Sequence, residues 1–277
     1  VNRPEALDSS TASAIATGAA EAPPLVSART ASLVGAALVA LGPISLALYT
    51  PAMPALVTAF GTSVSTVKLT LTLYFAGFAS AQLVCGPLSD AYGRRPITLW
   101  FMGLYLIGSV IAVFAPTVEY LLLARLIQGI GAAAGVAIAR AIVRDLFNGQ
   151  EAARIMNTVG IILALGPAIS PTIGGITLDL LGWHAIFVLM VIYGLFVVGL
   201  VVYVVVETNR APDRALARPS GLVKAYGTLL GDQRFMLPGI ILGSSIGAFF
   251  TLATVLPFVL IGRVGLTPTH FGFAMIL

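Results

Sequence analysis

From residue 31 to residue 261 the chain is a succession of apolar runs separated by short polar breaks. A helix needs about 20 apolar residues, at 1.5 Å each, to cross roughly 30 Å of hydrocarbon. Seven runs meet that length: 31–53, 68–88, 96–116, 119–143, 155–179, 184–206 and 235–261. An eighth is expected to begin near Thr267, which reads as an N-cap with Pro268 as the first helical residue. The runs are continuous rather than alternating over about ten residues, so they predict helices and not a barrel. In lipid every backbone polar group must be satisfied inside the segment that carries it, and these helices do that.

Composition agrees. Charged residues make up 9% of the 277 residues and hydrophobic residues 58%, with a mean hydropathy of +1.00. Soluble domains carry about 25% charged residues. A soluble enzyme, a secreted disulfide scaffold and a disordered regulator are therefore excluded. The one cysteine, Cys85, has no internal disulfide partner and reads as a small buried hydrophobe. The net charge of +4 follows membrane topology rather than nucleic-acid binding. Arg94, Arg95, Arg144, Arg154, Arg210, Arg214, Arg218, Lys224 and Arg234 fall in alternate breaks, whereas the opposite side has only Lys68 and Arg263. The positive-inside rule then puts the first set and the N-terminus in the cytoplasm.

The expected fold class is an all-α membrane protein. Residues 1–30, rich in Ala, Ser, Thr and Pro, read as a disordered cytoplasmic tail without a signal-peptide pattern. Residues 31–206 form a six-helix transmembrane bundle, 207–234 a cytoplasmic linker with Pro212 and Pro219, and 235–277 the first one to two helices of a second bundle. Two bundles joined by a linker point to a transporter. The chain ends within the apolar run Phe271–Leu277, so a C-terminal truncation is expected.

The break between the second and third spans reads Gly86-Pro87-Leu88-Ser89-Asp90-Ala91-Tyr92-Gly93-Arg94-Arg95-Pro96. Gly and Pro predict a tight turn, with Asp90 as an acceptor and Arg94 and Arg95 held at the headgroups. The fourth span carries Arg125-Leu126-Ile127-Gln128-Gly129-Ile130-Gly131, and the fifth Gly166-Pro167-Ala168-Ile169-Ser170-Pro171-Thr172-Ile173-Gly174-Gly175. Each of the three stretches resembles a signature of the major facilitator superfamily at its proper helical address. The fifth-span stretch is similar to that of drug-exporting members. Tyr49-Thr50-Pro51-Ala52-Met53-Pro54, Val143-Arg144-Asp145-Leu146, Gly182-Trp183-His184-Ala185-Ile186-Phe187 and Thr267-Pro268-Thr269-His270-Phe271-Gly272 resemble the bicyclomycin and chloramphenicol resistance (Bcr/CflA) branch. The resemblance runs from about residue 40 to the end. It implies a major facilitator fold of about 12 spans in the full protein, a monomer, and proton-driven efflux of small-molecule drugs across the bacterial inner membrane. It implies no cofactor, no metal and no enzymatic activity.

Several side chains invite roles in such a transporter. Arg125 lies about 9 Å into its span from Glu119. An arginine there costs at least about 2.5 kcal/mol on insertion scales and needs a partner or a wet cavity. It stays charged, so with Gln128 it can bind substrate or bias a neighbouring acid; alternatively it snorkels outward to Glu119. Gly129, Gly131 and Gly135, with Gly166, Gly174 and Gly175, give helix faces that let backbones approach. Pro167 and Pro171 bend the fifth span, and by resemblance this stretch seals the route and favours antiport. Arg140 and Arg144 share a helix face, and Asp90 is expected to pair with one of them as an inner gate. Tyr74, Phe78 and Gln82, spaced four apart, are candidates for the substrate path.

One position departs from the branch pattern. Many such exporters carry an acid two residues before the Tyr of Tyr49-Thr50-Pro51-Ala52-Met53-Pro54, where this chain has Ala47. A carboxylate in a low-dielectric cavity is the natural proton carrier. Glu119 and Asp179 remain as candidates, as does an acid elsewhere in a longer protein. A solute symporter or uniporter of the same superfamily, and a non-transporting membrane remnant, stand as alternatives. No zinc-ligand spacing, serine-nucleophile motif or paired aspartates occur in the spans, and no Gly-x-x-x-x-Gly-Lys sequence for ATP.

Overall fold

The computed structural model describes residues 27–209 and 211–276, which form helices and connections with no strand among them. The tail expected over 1–30 lies outside the described residues up to residue 26. Helix α1 (Ala28–Tyr49) passes through a 3-10 turn (Thr50–Ala52) into α2 (Met53–Ala59). Then come α3 (Val64–Tyr92), α4 (Arg94–Val113), α5 (Val118–Leu146), α6 (Gly149–Leu181) and α7 (Trp183–Tyr203). A second 3-10 turn (Arg214–Ala217), α8 (Pro219–Gly231), α9 (Gln233–Leu260) and α10 (Pro268–Ala274) follow. Among the described residues seven helices, counting α1 with its continuation as one, are long and apolar enough to cross a membrane.

Helix starts follow local chemistry. The hydroxyls of Ser27, Ser63 and Thr267 accept from the backbone N–H of Thr30 (3.2 Å), Thr66 (3.1 Å) and His270 (3.2 Å), as N-caps do. Pro51 and Pro54 remove two donors where α1 would end. The chain tightens to 3-10 there and continues to Ala59, six residues beyond the span expected from the sequence.

Helix α5 is the centre of the bundle, packed on α3, α4 and α1. Lipid gives no hydrophobic drive for helix association, so contact depends on how closely backbones can approach. A Cβ at Gly129 would strike the Tyr74 carbonyl of α3, one at Gly131 the Tyr105 amide of α4, and one at Gly135 the Leu38 carbonyl of α1. Three glycines on one helix thus dock three neighbours.

The tight turn expected over 86–96 is confined to one residue. Helix α3 runs through Gly86 and Pro87 to Tyr92, and α4 starts at Arg94. Only Gly93 lies between, at φ +100°, a conformation that glycine adopts without strain. Helix α3 survives Pro87 because the carbonyl that proline orphans finds another donor. The Leu83 oxygen accepts from the hydroxyl of Tyr226 on α8. The linker read over 207–234 therefore carries a helix of its own, laid against α3.

Helix α9 stands beside the bundle, with Pro257 its one buried residue. It meets α2 and the first 3-10 turn at its far end, and Phe250 packs edge-on against Phe75 of α3 at 4.8 Å. Helix α10 lies on α6, where a Cβ at Gly272 would strike Thr172.

Two alanine substitutions separate these packing roles. Gly135→Ala forces a Cβ into the Leu38 carbonyl and should destabilise the bundle by about 1–3 kcal/mol, the range for overpacking. Gly86→Ala meets nothing within 4 Å and should not. Thermal unfolding midpoints of the purified protein should fall for the first variant alone.

Candidate functional site

At the junction of α3 and α4, two carboxylates hold one guanidinium. Arg94 is 5% exposed. It pairs with Asp90 one turn earlier on α3, donates from Nε to Asp145 of α5 (2.9 Å), and donates from Nη1 to the Ser89 hydroxyl (2.7 Å). Charge-assisted hydrogen bonds of this kind are each worth about 1.5–3 kcal/mol. The pairing of Asp90 with Arg140 or Arg144 is not formed. Both arginines are exposed and make no ion pair among the described residues. One residue along a helix is a rotation of about 100°. That rotation turns Asp145, rather than Arg144, toward the α3–α4 junction.

The stretch that leaves α7 completes this node. The carboxylate of Glu207 accepts from the backbone N–H of Arg94 (2.9 Å) and Arg95 (3.1 Å), the first two residues of α4. The free amides and the helix dipole favour an acid there. Its position over Gly93 leaves no room for a Cβ, which would lie 2.7 Å from Glu207 Oε2. Thr208 donates to Asp145 (3.2 Å), and Asn209 donates from Nδ2 to the Asp90 carbonyl (2.7 Å). Arg95 donates to the Val202 carbonyl of α7 (2.7 Å). The sequence reading missed Glu207, Thr208 and Asn209. Their one signal is a polar cluster set directly after an apolar span.

Deep in the bundle Arg125 is fully buried. Its guanidinium packs against two rings, 4.5 Å from the centroid of Tyr49 on α1 and 4.4 Å from that of Tyr74 on α3. Cation–π contacts of desolvated groups reach about 2 kcal/mol. Nη1 donates to Gln128 Oε1 at 2.5 Å, and Gln128 donates on to Ser109 of α4 (2.7 Å). Neither Nε nor Nη2 finds a hydrogen-bond acceptor among the described residues, and no carboxylate pairs with Arg125 there. The alternative in which Arg125 reaches Glu119 is not realised, since the Glu119 carboxylate accepts instead from Thr117 (2.5 Å). A ring of hydroxyls surrounds the arginine. Tyr49 bonds to Thr70 (2.7 Å), Tyr105 to Ser45 (2.6 Å), and Tyr74 donates to the Gly42 carbonyl (3.1 Å).

The three path candidates on α3 separate. Tyr74 and Phe78 stack with centroids 6.4 Å apart and line a small cavity of about 140 Å³ with Gly42, Leu46 and Phe250. Phe78 also borders a cleft of about 660 Å³ between α3 and α9. Gln82 turns instead to α5 and donates to the Ala133 carbonyl (3.1 Å).

On α6 the glycines again mark close approach. A Cβ at Gly166 would press on the Ile44 side chain, one at Gly174 would strike the Leu48 carbonyl of α1, and one at Gly175 the Pro268 carbonyl of α10. Pro167 and Pro171 lie inside the same helix. Just beyond, Asp179 accepts from the backbone N–H (3.0 Å) and hydroxyl (2.5 Å) of Thr269. Ala47 is half-buried on α1, in the last turn before Tyr49.

A family model described as Major Facilitator Superfamily matches residues 35–277. The chain is 34% identical over 237 residues to an uncharacterized MFS-type transporter of Bacillus subtilis, covering 85% of this chain and 59% of that one. It is 31% identical over 240 residues to a chloramphenicol resistance protein of Pseudomonas aeruginosa, with 85% and 55% covered. It is 30% identical over 234 residues to a bicyclomycin resistance protein homolog of Haemophilus influenzae, with 84% and 58% covered. The chain thus spans less than two thirds of the length of these curated relatives. In fold it is similar to the human organic anion transporter MFSD10 (TM-score 0.65, 19% identity, 90% of this chain and 69% of that one). It is similar likewise to a D-xylose-proton symporter (TM-score 0.65, 17% identity, 89% and 64%).

Glu207→Ala removes the acceptor of two α4 amides, and an orphaned buried donor costs about 1–3 kcal/mol. The variant should insert normally yet expose the Gly93 junction to limited proteolysis, while Arg140→Ala should leave it protected.

Proposed function

The chain belongs to the major facilitator superfamily, and on that premise we propose that it forms part of a secondary transporter that exports small amphipathic drugs by proton antiport. Transport would proceed by alternating access, with the two bundles rocking about the contact of α6 with α10. The protein would lie in the bacterial inner membrane with its N-terminus in the cytoplasm, as a monomer. The observation that carries this reading is the α6 face built from Gly166, Gly174 and Gly175. Pro167 and Pro171 lie between these glycines in the same helix, which seats α1 against Gly166 and Gly174 and α10 against Gly175. Smooth backbone contacts let helices slide and tilt without unlocking side chains. Relatives named for chloramphenicol resistance and bicyclomycin resistance share the sequence at about 30% identity, which supports drugs as the substrate class.

In this reading the Arg94 node is the inner gate. Asp90, Arg94 and Asp145 tie α3, α4 and α5 together, and Glu207 ties the linker to them. Gly93 permits the turn, whereas Gly86 meets no neighbour within 4 Å. Arg140 and Arg144 stay exposed beside the node and would meet headgroups or the second bundle. Arg125 and Gln128 would set the electrostatics of the central cavity whose wall includes Tyr74 and Phe78. Protons would be carried by an acid other than one at position 47, because that position is Ala47. The same alanine favours a second reading, a symporter or uniporter of the superfamily.

The experiment is drug efflux from cells expressing the gene. Chloramphenicol or bicyclomycin accumulation should fall on expression and recover when a protonophore collapses the proton gradient. Efflux that persists under the protonophore would favour the uniporter, and unchanged accumulation would remove the export reading. Asp90→Ala should abolish efflux while membrane insertion stays at the level of the unsubstituted protein. Normal efflux in that variant would remove the gate.

A further inference from the structure

The space between α3 and α9 is continuous in its lining. A cleft of about 560 Å³ at the Arg263 end shares Lys68 and Val255 with the 660 Å³ cleft, which shares Phe75, Phe78 and Phe250 with the 140 Å³ cavity beside Tyr74. The walls are aromatic and aliphatic, with Thr72, Thr251 and Thr254 as neutral polar groups. Among the described residues the charged side chains that line these spaces are Lys68 and Arg263, both cations, with no Asp, Glu or His beside them. Behind the innermost cavity stands a third cation, since the Tyr74 ring that lines it also carries Arg125 at 4.4 Å. The described carboxylates lie elsewhere. Asp90, Glu119, Asp145, Glu151 and Asp179 sit at helix ends, and Glu207, Asp213 and Asp232 in connections.

Lys68 is the group placed to act. It borders both larger clefts, its ammonium sits 5.3 Å from the Phe258 ring centroid, and that ammonium makes no ion pair or hydrogen bond among the described residues. An ammonium over a ring keeps donors for an anion. A cleft with low-dielectric walls and charges of one sign concentrates ligands of the opposite sign. Among the described residues a lipophilic cation would find three like charges and no carboxylate there. We propose that the α3–α9 cleft selects apolar, ring-bearing substrates that carry an anionic group, which Lys68 receives, over lipophilic cations. This inference rests on the transport reading and names the substrate class of its cavity.

The test uses the intact protein encoded by the gene, in nanodiscs of zwitterionic lipid, and titration calorimetry. Three ligands share one scaffold: 4-phenylbutanoate, its methyl ester and 4-phenylbutylamine. The carboxylate should bind about tenfold more tightly than the amine, with the ester between them. Lys68→Gln should erase the preference of carboxylate over ester and leave ester binding unchanged, and Lys68→Arg should keep the preference. Equal binding of all three, tighter binding of the amine, or an unaltered preference in Lys68→Gln would overturn the inference while leaving a binding cavity in place. Loss of the carboxylate's advantage on changing to anionic lipid would assign Lys68 to a lipid headgroup and overturn it too. Failure of all three ligands to bind in a protein that still exports chloramphenicol or bicyclomycin would overturn the inference and leave the transport reading in place.

Discussion

The bundle depends on how closely three backbones can approach α5. Gly129, Gly131 and Gly135 admit α3, α4 and α1 to van der Waals contact with one helix. In lipid, where side-chain burial contributes no hydrophobic drive, such contact is a main source of cohesion. The same approach encloses Arg125. It brings the rings of Tyr49 from α1 and Tyr74 from α3 against a guanidinium that α5 carries. With larger residues at the three glycines the rings would stand off and the charge would need water or a carboxylate.

Two polar centres follow from that packing, and they differ in kind. The Arg94 node is compensated: two carboxylates, a hydroxyl and a capped helix start surround one cation. Arg125 is not, for it has rings, Gln128 and no acid. A compensated cluster rigidifies, whereas an uncompensated charge in a low dielectric is costly and marks a functional site by default. The first suits a lock between helix ends. The second, beside an aromatic cavity, suits a centre that biases what the cavity holds.

Much of this was legible in the chain. Apolar length alone located the seven spans, because hydrocarbon thickness admits few alternatives. Glycines on α5 and α6 could be read as contact faces, yet not which backbone each would meet. The depth of Arg125 could be counted from Glu119, but its burial against two rings depends on α1 and α3, which lie far off in sequence. The partner of Asp90 was misassigned because Arg144 and Asp145 differ by one residue, and one residue turns a helix side chain to another face. Glu207 was unreadable for a related reason: it caps amides 113 residues away, and no local pattern encodes that. Gly86 and Pro87 read locally as a turn at the end of α3. Only the tertiary donor Tyr226 explains why the helix continues.

In the proposed cycle two bundles move against each other about the α6–α10 contact while the Arg94 node holds the ends of α3, α4 and α5 together at the other end. The most direct measurement places spin labels at Tyr92, at the end of α3, and at Phe235, at the start of α9, both exposed, in the intact protein. Pulsed dipolar spectroscopy should then resolve two distance populations whose ratio shifts on adding substrate. A single distance that substrate leaves unchanged would contradict the account.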